Sequence, residues 1–200
     1  MTTDAPPAID PQRTALLVMD YQNGVVSRVP EADALLTRVA AAIATVRARE
    51  GHVGYVRVAF DEADYAAFPP TSRMAAIVSA AGRAYDTDSP ATAVHDRVAP
   101  RPGEIVVRKT RVGAFSTTDL DAQLRDRGIA TLILTGISTS GVVLSTLRDA
   151  SDRDYQIIVL ADGCADLDPE VHDVLMRKVF PRQAHVATVA ELPGLLRQHR

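Results

Sequence analysis

The stretch Leu132-Ile133-Leu134-Thr135-Gly136-Ile137-Ser138-Thr139-Ser140-Gly141-Val142-Val143-Leu144-Ser145-Thr146 decides how this chain folds. Residues 131–134 form an apolar run of the kind found in a strand buried on both faces of a parallel sheet. Gly136 and Gly141 bracket a tight junction, and the pattern predicts a helix over 141–150. In α/β proteins such a strand-to-helix junction presents backbone N–H groups and reactive side chains to a ligand. The position best placed for a nucleophile is Val142, which has no reactive atom.

The same alternation continues outward. Residues 14–20 are an apolar run that ends in the carboxylate of Asp20, and they predict a second buried strand. Leu35, Leu36, Val39, Ile43 and Val46 recur at helical spacing, which predicts a helix over 33–50 that stops at Gly51. Residues 53–60 and 105–108 read as strands, the latter followed by Lys109, while 74–81 reads as a short helix or a covering segment. Ser116 or Thr117 is the expected cap of a helix that runs to Arg127 and stops at Gly128. A strand over 156–161, a helix opened by Asp168-Pro169, a strand over 186–189 and a terminal helix to about His199 complete the pattern. The βαβ alternation predicts an α/β, three-layer architecture: a mostly parallel central sheet with helices on both faces. Residues 1–200 read as one domain, with 1–12 a flexible N-terminal segment.

Composition narrows the function classes. The chain has 200 residues, a net charge of -3 and no Trp. No basic block or stripe points to nucleic acid. No apolar run is long enough to span a bilayer, and the polar, Pro-rich start is unlike a signal peptide. Cys164 is the sole cysteine, so no internal disulfide forms, and a cytoplasmic location is the default expectation. His52, His95, His172, His185 and His199 show no paired ligand spacing, so no metal is expected, and no cofactor motif is present.

Ligands of open α/β sheets bind beyond the carboxyl ends of the strands. Three such ends carry chemistry: Asp20, Lys109 and the 136–142 turn. A carboxylate and an ammonium at neighbouring strand ends hold each other's charge state and can pass a proton to a substrate. Taken singly, Asp20 reads equally as a turn cap and Lys109 as a solvated charge. Their combination with the turn points to a site. Cys164 follows a strand end and reads either as a thiol near that site or as a small buried side chain, the commoner case.

These residues resemble the isochorismatase-like hydrolase superfamily, also called the cysteine hydrolases, over nearly the whole chain. Three motifs carry the resemblance: Val18-Met19-Asp20-Tyr21-Gln22-Asn23-Gly24, Lys109-Thr110-Arg111-Val112-Gly113-Ala114-Phe115 and 135–146. The resemblance implies a Rossmann-like topology, Asp20 and Lys109 as catalytic residues, a cis peptide at Ile137-Ser138 and an oxyanion hole made by the N–H groups of Ser138 and Val142. It also implies a homo-oligomer acting on a small-molecule substrate. Gln22, Phe60, Arg73 and Phe115 are the expected pocket residues, and Arg73 reads either as a partner for a substrate carboxylate or as a surface charge, the commoner case. The departure is Val142, which stands where the family has its nucleophilic Cys. Thioester-type chemistry is therefore excluded at that position. Isochorismatases in the same superfamily also do without the cysteine and cleave a vinyl ether with Asp as proton donor.

Two functions follow from different classes. One is hydrolysis of a small molecule, such as a vinyl ether, by Asp20/Lys109 acid–base chemistry. The alternative is a catalytically silent small-molecule-binding or scaffold protein that retains the pocket. A nucleophile relocated to Ser138, Ser140 or Cys164 ranks last, because none has a partner base at motif spacing.

Overall fold

Every residue of β1 (Thr14–Met19) is buried, because this strand lies inside the sheet and is covered on both faces. In the computed structural model, which describes residues 8–196, the chain continues through α1 (Asn23–Val26), α2 (Ala32–Ala48), β2 (His52–Val58), α3 (Glu62–Ala66) and α4 (Arg73–Ala80). It then forms β3 (Ile105–Lys109), α5 (Leu120–Asp126), β4 (Thr131–Ile137), α6 (Leu144–Asp152), β5 (Gln156–Ala165), α7 (Pro169–Val174), β6 (His185–Ala187) and α8 (Leu192–Leu195). The six strands are all parallel, in the order β3-β2-β1-β4-β5-β6. The order reverses between β1 and β4, and in a doubly wound sheet the crevice at that switch point is where ligands sit.

Period-two alternation assigns the two faces. Ala15, Leu17 and Met19 point to one side and pack with Leu120 and Leu124 of α5 and Leu147 of α6. Leu16 and Val18 point to the other, against Leu36, Val39 and Ile43 of α2 and Leu192 of α8. Each such aliphatic side chain, fully buried, contributes about 1.5–3 kcal/mol. A third, smaller cluster stands apart from both faces: Val58, Phe60 and Val78, with Tyr65, Phe68, Met74 and Tyr85 packed against them. The segment read as a short helix or cover is therefore α4, and it roofs the carboxyl end of the sheet.

Several boundaries differ from expectation, each for a local reason. β1 stops at Met19 because Asp20 takes a left-handed conformation, with φ of 60°. α2 ends through a left-handed Glu50, φ 58°, while Gly51 is needed for space: a Cβ there would lie 2.8 Å from Val46 Cγ1. Neither Ser116 nor Thr117 caps a helix. Thr117 Oγ1 accepts from Thr110 N at 3.0 Å, and α5 starts only at Leu120. The helix expected over 141–150 begins as a wide turn, Thr139–Val143, before α6. β4 and β5 run further than expected, to Ile137 and Ala165, because they keep pairing beyond a register shift between Leu134 and Gly136. Of the N-terminal segment expected to be flexible, 1–7 lies outside the described residues. Ile9 is buried, and its N–H donates to Leu195 O at 3.0 Å. α8 ends at Leu195, and the reading that carried it to His199 extends beyond the described residues.

Candidate active site

Asp20 is the first residue past β1, and Asp is among the side chains that best tolerate a left-handed backbone. Its N–H donates to Val56 O at 2.8 Å, so the turn stays attached to β2. Its Oδ2 lies 2.8 Å from Nζ of Lys109, the last residue of β3, and the two side chains are only 8% and 3% exposed. Lys109 Nζ also donates to Val112 O at 2.8 Å and Arg111 O at 3.3 Å. An ammonium has three donors, so Lys109 has none left over. Asp20 Oδ1, by contrast, is buried and has no hydrogen-bond partner among the described residues. Burial pushes the Asp20 carboxyl above its ordinary range; the Lys109 charge and hydrogen bond pull it back only in part.

The end of β4 supplies the third wall. The Ile137–Ser138 peptide is cis, and the wide turn follows at once. Ser138 Oγ accepts from Gly141 N at 3.1 Å, Val143 N donates to Ser138 O at 3.3 Å, and Ser140 N donates to Asp166 Oδ2 at 2.7 Å. Both glycines are sterically required. A Cβ on Gly136 would lie 2.9 Å from Val143 Cγ2, and one on Gly141 would lie 2.7 Å from Ser138 Oγ. Thr146, the last residue of the motif, accepts from Ala114 N at 3.1 Å and so ties the loop after β3 to α6.

These ends enclose a cavity of about 550 Å³ lined by Asp20, Lys109, Ser138, Gly141 and Val142 at one end and by Phe60, Arg73, Met74 and Ile77 around the roof. Val142 is 2% exposed, and its Cγ1 would touch a Cβ at Gly136. A purely aliphatic side chain thus faces the Asp20–Lys109 pair.

Two residues expected to line the pocket stand behind its wall. Gln22 is buried and saturated by backbone: Nε2 donates to Val58 O at 2.8 Å and Thr92 O at 2.9 Å, and Oε1 accepts from Val58 N at 2.8 Å. It joins the end of β2 to the loop beyond α4. We expect Gln22→Leu, which orphans the buried Val58 N–H, to lower stability by on the order of 3 kcal/mol in urea unfolding. Phe115 stacks on Tyr155 at 6.2 Å within the core under α5 and α6. The relocated nucleophiles also fail. Ser140 does not line the cavity, and Ser138 Oγ meets only a backbone N–H. The Cys164 thiol is sealed near Leu134 O, and burial pushes it up to about 12.

Arg28, Tyr85, Val112 and Leu167 also line the cavity and were not legible from the sequence. They sit on turns and loops, where no periodicity tells which side chains fold over a strand end.

With this geometry in view, the chain can be placed among known proteins. The isochorismatase domain model matches residues 14–191. An uncharacterized isochorismatase family protein of Bacillus subtilis, YwoC, is 32% identical over 183 residues, covering 92% of this chain and 94% of that protein. The ureidoacrylate amidohydrolase RutB of Methylobacterium radiotolerans is 35% identical, covering 96% of this chain and 82% of its own length. The solved structure of an isochorismatase family protein from Burkholderia thailandensis superposes with a TM-score of 0.80 at 29% identity, covering 96% of this chain and 99% of that one. A parallel sheet of matching topology and a family model spanning nearly all of it lead to one conclusion: the chain belongs to the isochorismatase family of hydrolases.

Proposed function

We propose that this chain hydrolyses a small molecule by acid–base chemistry at Asp20 and Lys109, with no covalent thiol intermediate, and that its substrate is an enol (vinyl) ether. The observation that carries the reading is Asp20 itself: a buried carboxyl among the cavity's lining residues, with one oxygen bound to Lys109 and the other without a hydrogen-bond partner among the described residues. Carboxyl groups held protonated by burial serve as general acids.

The reaction follows from that group. Protonated Asp20 gives its proton to the terminal carbon of the C=C bond, whose electron pair forms the new C–H bond. The ether carbon becomes an oxocarbenium ion, to which water adds while Asp20 takes back a proton. The hemiketal then collapses to an alcohol and a ketone. Lys109 orients the carboxyl and neutralises it when ionised. The N–H groups of Ser138 and Val142 would face the leaving alkoxy oxygen at hemiketal collapse, where negative charge develops. Val142 supplies a dry wall that keeps water from competing for the carboxyl. Relatives named as amidohydrolases make ureido and amide compounds the second substrate class to assay. We place the enzyme in the cytoplasm, the default for a chain with one cysteine, and read it as a homo-oligomer; the exposed apolar Ile77, Val112 and Leu167 support the association alone.

The test is a pH–rate profile on a panel of small enol ethers, isochorismate among them, alongside ureido and amide compounds. An acid must be protonated to act, so kcat/KM on the enol ether falls as pH rises through the Asp20 titration. Lys109→Met removes the charge that favours the carboxylate, so the falling limb moves to higher pH while kcat drops. A rate that climbs with pH across that range sinks the acid assignment.

A further inference from the structure

The wide turn after β4 is held from outside as well as from within. It opens at Thr139, whose side chain is fully buried directly behind Ser138. Thr139 Oγ1 lies 2.8 Å from Nδ1 of His172 on α7, 33 positions further along the chain. The next residue of the turn, Ser140, donates its N–H to Asp166 at the end of β5. The stretch that supplies both partners is itself fixed. Ala165 pairs with Ile137 across β5 and β4. Asp168 Oδ1 accepts from Glu170 N at 2.9 Å and from Val171 N at 3.3 Å, and His172 N donates to Asp168 O at 3.1 Å. The imidazole is half-buried, and burial holds it below the ordinary histidine range although Asp173 and Asp166 oppose the shift. It is therefore neutral above pH 7, and a hydroxyl can rotate to pair with either tautomer of a neutral ring. Ser138 and Val142 line the cavity, whereas Thr139, Asp166 and His172 stand behind it.

We infer that Thr139 and His172 are positioning residues, whose contact fixes the turn so that the N–H groups of Ser138 and Val142 stay aimed into the cavity. This rests on the proposed use of those two N–H groups. A donor stabilises developing charge only if it is already aimed, within about 0.5 Å of its working place. The turn's own bonds are too long to ensure that: Ser138 O receives Gly141 N at 3.2 Å and Val143 N at 3.3 Å. A buried hydroxyl tied to a separate, capped helix supplies the missing constraint. Neither side chain lines the cavity, so each acts through the turn and not on the substrate.

The experiment uses Val142→Cys as a reporter, because a thiol at that position titrates in the field of the same N–H groups. The readout is the rate of iodoacetamide alkylation at residue 142, followed by mass spectrometry from neutral to alkaline pH. In that background, Thr139→Val and His172→Leu should each slow alkylation at neutral pH by about three- to tenfold and leave the alkaline plateau unchanged. The unchanged plateau shows that access to the thiol is the same. Thr139→Ser and His172→Asn keep a hydrogen-bonding atom in place and should restore most of the rate. The double variant Thr139→Val/His172→Leu should lose no more than the worse single, since one contact carries both effects. A merely structural contact would lower the urea midpoint and leave the alkylation profile where it was. Should Thr139→Val fail to fold, His172→Leu, made at a half-buried ring, carries the test. An unmoved profile, a loss that the conservative variants do not restore, or additive losses in the double variant overturns the inference. No turnover is read. A chain that hydrolyses nothing yet shows these shifts would therefore sink the hydrolase reading alone, and a hydrolase with an unmoved profile would sink this inference alone.

Discussion

Asp20→Asn should lower kcat/KM on the enol ether by about 10²–10⁴-fold, the usual contribution of a positioned general acid. Asn is the informative substitution because it tolerates the left-handed backbone at this position, where Ala would add strain. It keeps the shape of the side chain and removes only the exchangeable acid proton and the negative charge. The cost in stability is separate. Lys109 is 3% exposed, and at pH values where Asp20 is ionised the substitution removes its counter-charge and leaves a buried ammonium among neutral acceptors. Breaking a buried pair in this way costs about 3–5 kcal/mol, so urea unfolding should show a lower midpoint. Activity is therefore compared well below the melting temperature, with circular dichroism to verify folding. Hydrolysis untouched by the substitution would assign the chemistry to another group. Absence of hydrolysis in the wild type across the whole panel, with ligand binding retained, would instead identify a silent binding protein.

Val142→Cys should create an activity that the wild type does not have. The proposed oxyanion donors are backbone N–H groups, which survive any side-chain change. Cys is slightly smaller than Val, so the substitution costs about 1 kcal/mol and leaves Gly136 its contact. The new thiol would join Asp20 and Lys109 at the cavity, where Asp20 can take its proton and Lys109 favours negative charge nearby. Small amides and ureido acids should then be hydrolysed on the order of 10²-fold or more above the wild-type background. That gain should vanish after stoichiometric iodoacetamide. Cys164 makes the control clean: it is buried and its thiol is pushed up to about 12, so the wild type should not label. A variant that labels at residue 142 yet hydrolyses no amide would count against the oxyanion geometry. Val142→Ala supplies the matching control for cavity size, since it enlarges the pocket without a nucleophile.

Much of the fold was readable along the chain, because period-two and period-3.6 apolar patterns report burial directly. The strands at 14–19, 105–109 and 131–137 were found to within a few residues, and so was helix α2. Reading was weaker where side chains compete with helix geometry. Ser116 and Thr117 look like caps in sequence, but the Thr117 hydroxyl is taken by the backbone N–H of Thr110 and α5 starts only at Leu120. Gln22 misled for a related reason. It follows the Asp20 motif and so suggests a pocket residue, yet its partners Val58 and Thr92 lie 36 and 70 positions away. Phe115 likewise follows Lys109 by six positions but turns into the core under α5 and α6.

For the site, local sequence was enough to name Asp20, Lys109 and the 136–142 turn, and to exclude thiol chemistry at Val142, because side-chain identity and strand-end position are local properties. Their convergence was decided in three dimensions. The strand order β3-β2-β1-β4 brings residues 20, 109 and 138 to one end of the sheet, and the left-handed turn at Asp20 aligns Oδ2 with Lys109. Tertiary packing alone leaves Asp20 Oδ1 without a hydrogen-bond partner among the described residues, puts Gln22 behind the wall and brings Arg28 as well as Arg73 to the cavity. Those outcomes depend on which distant backbone groups meet a given side chain, and one-dimensional periodicity carries no information about such meetings. The unreactive Val142 is visible in the sequence; that it lines the same cavity as a carboxyl with one oxygen unpartnered among the described residues is not.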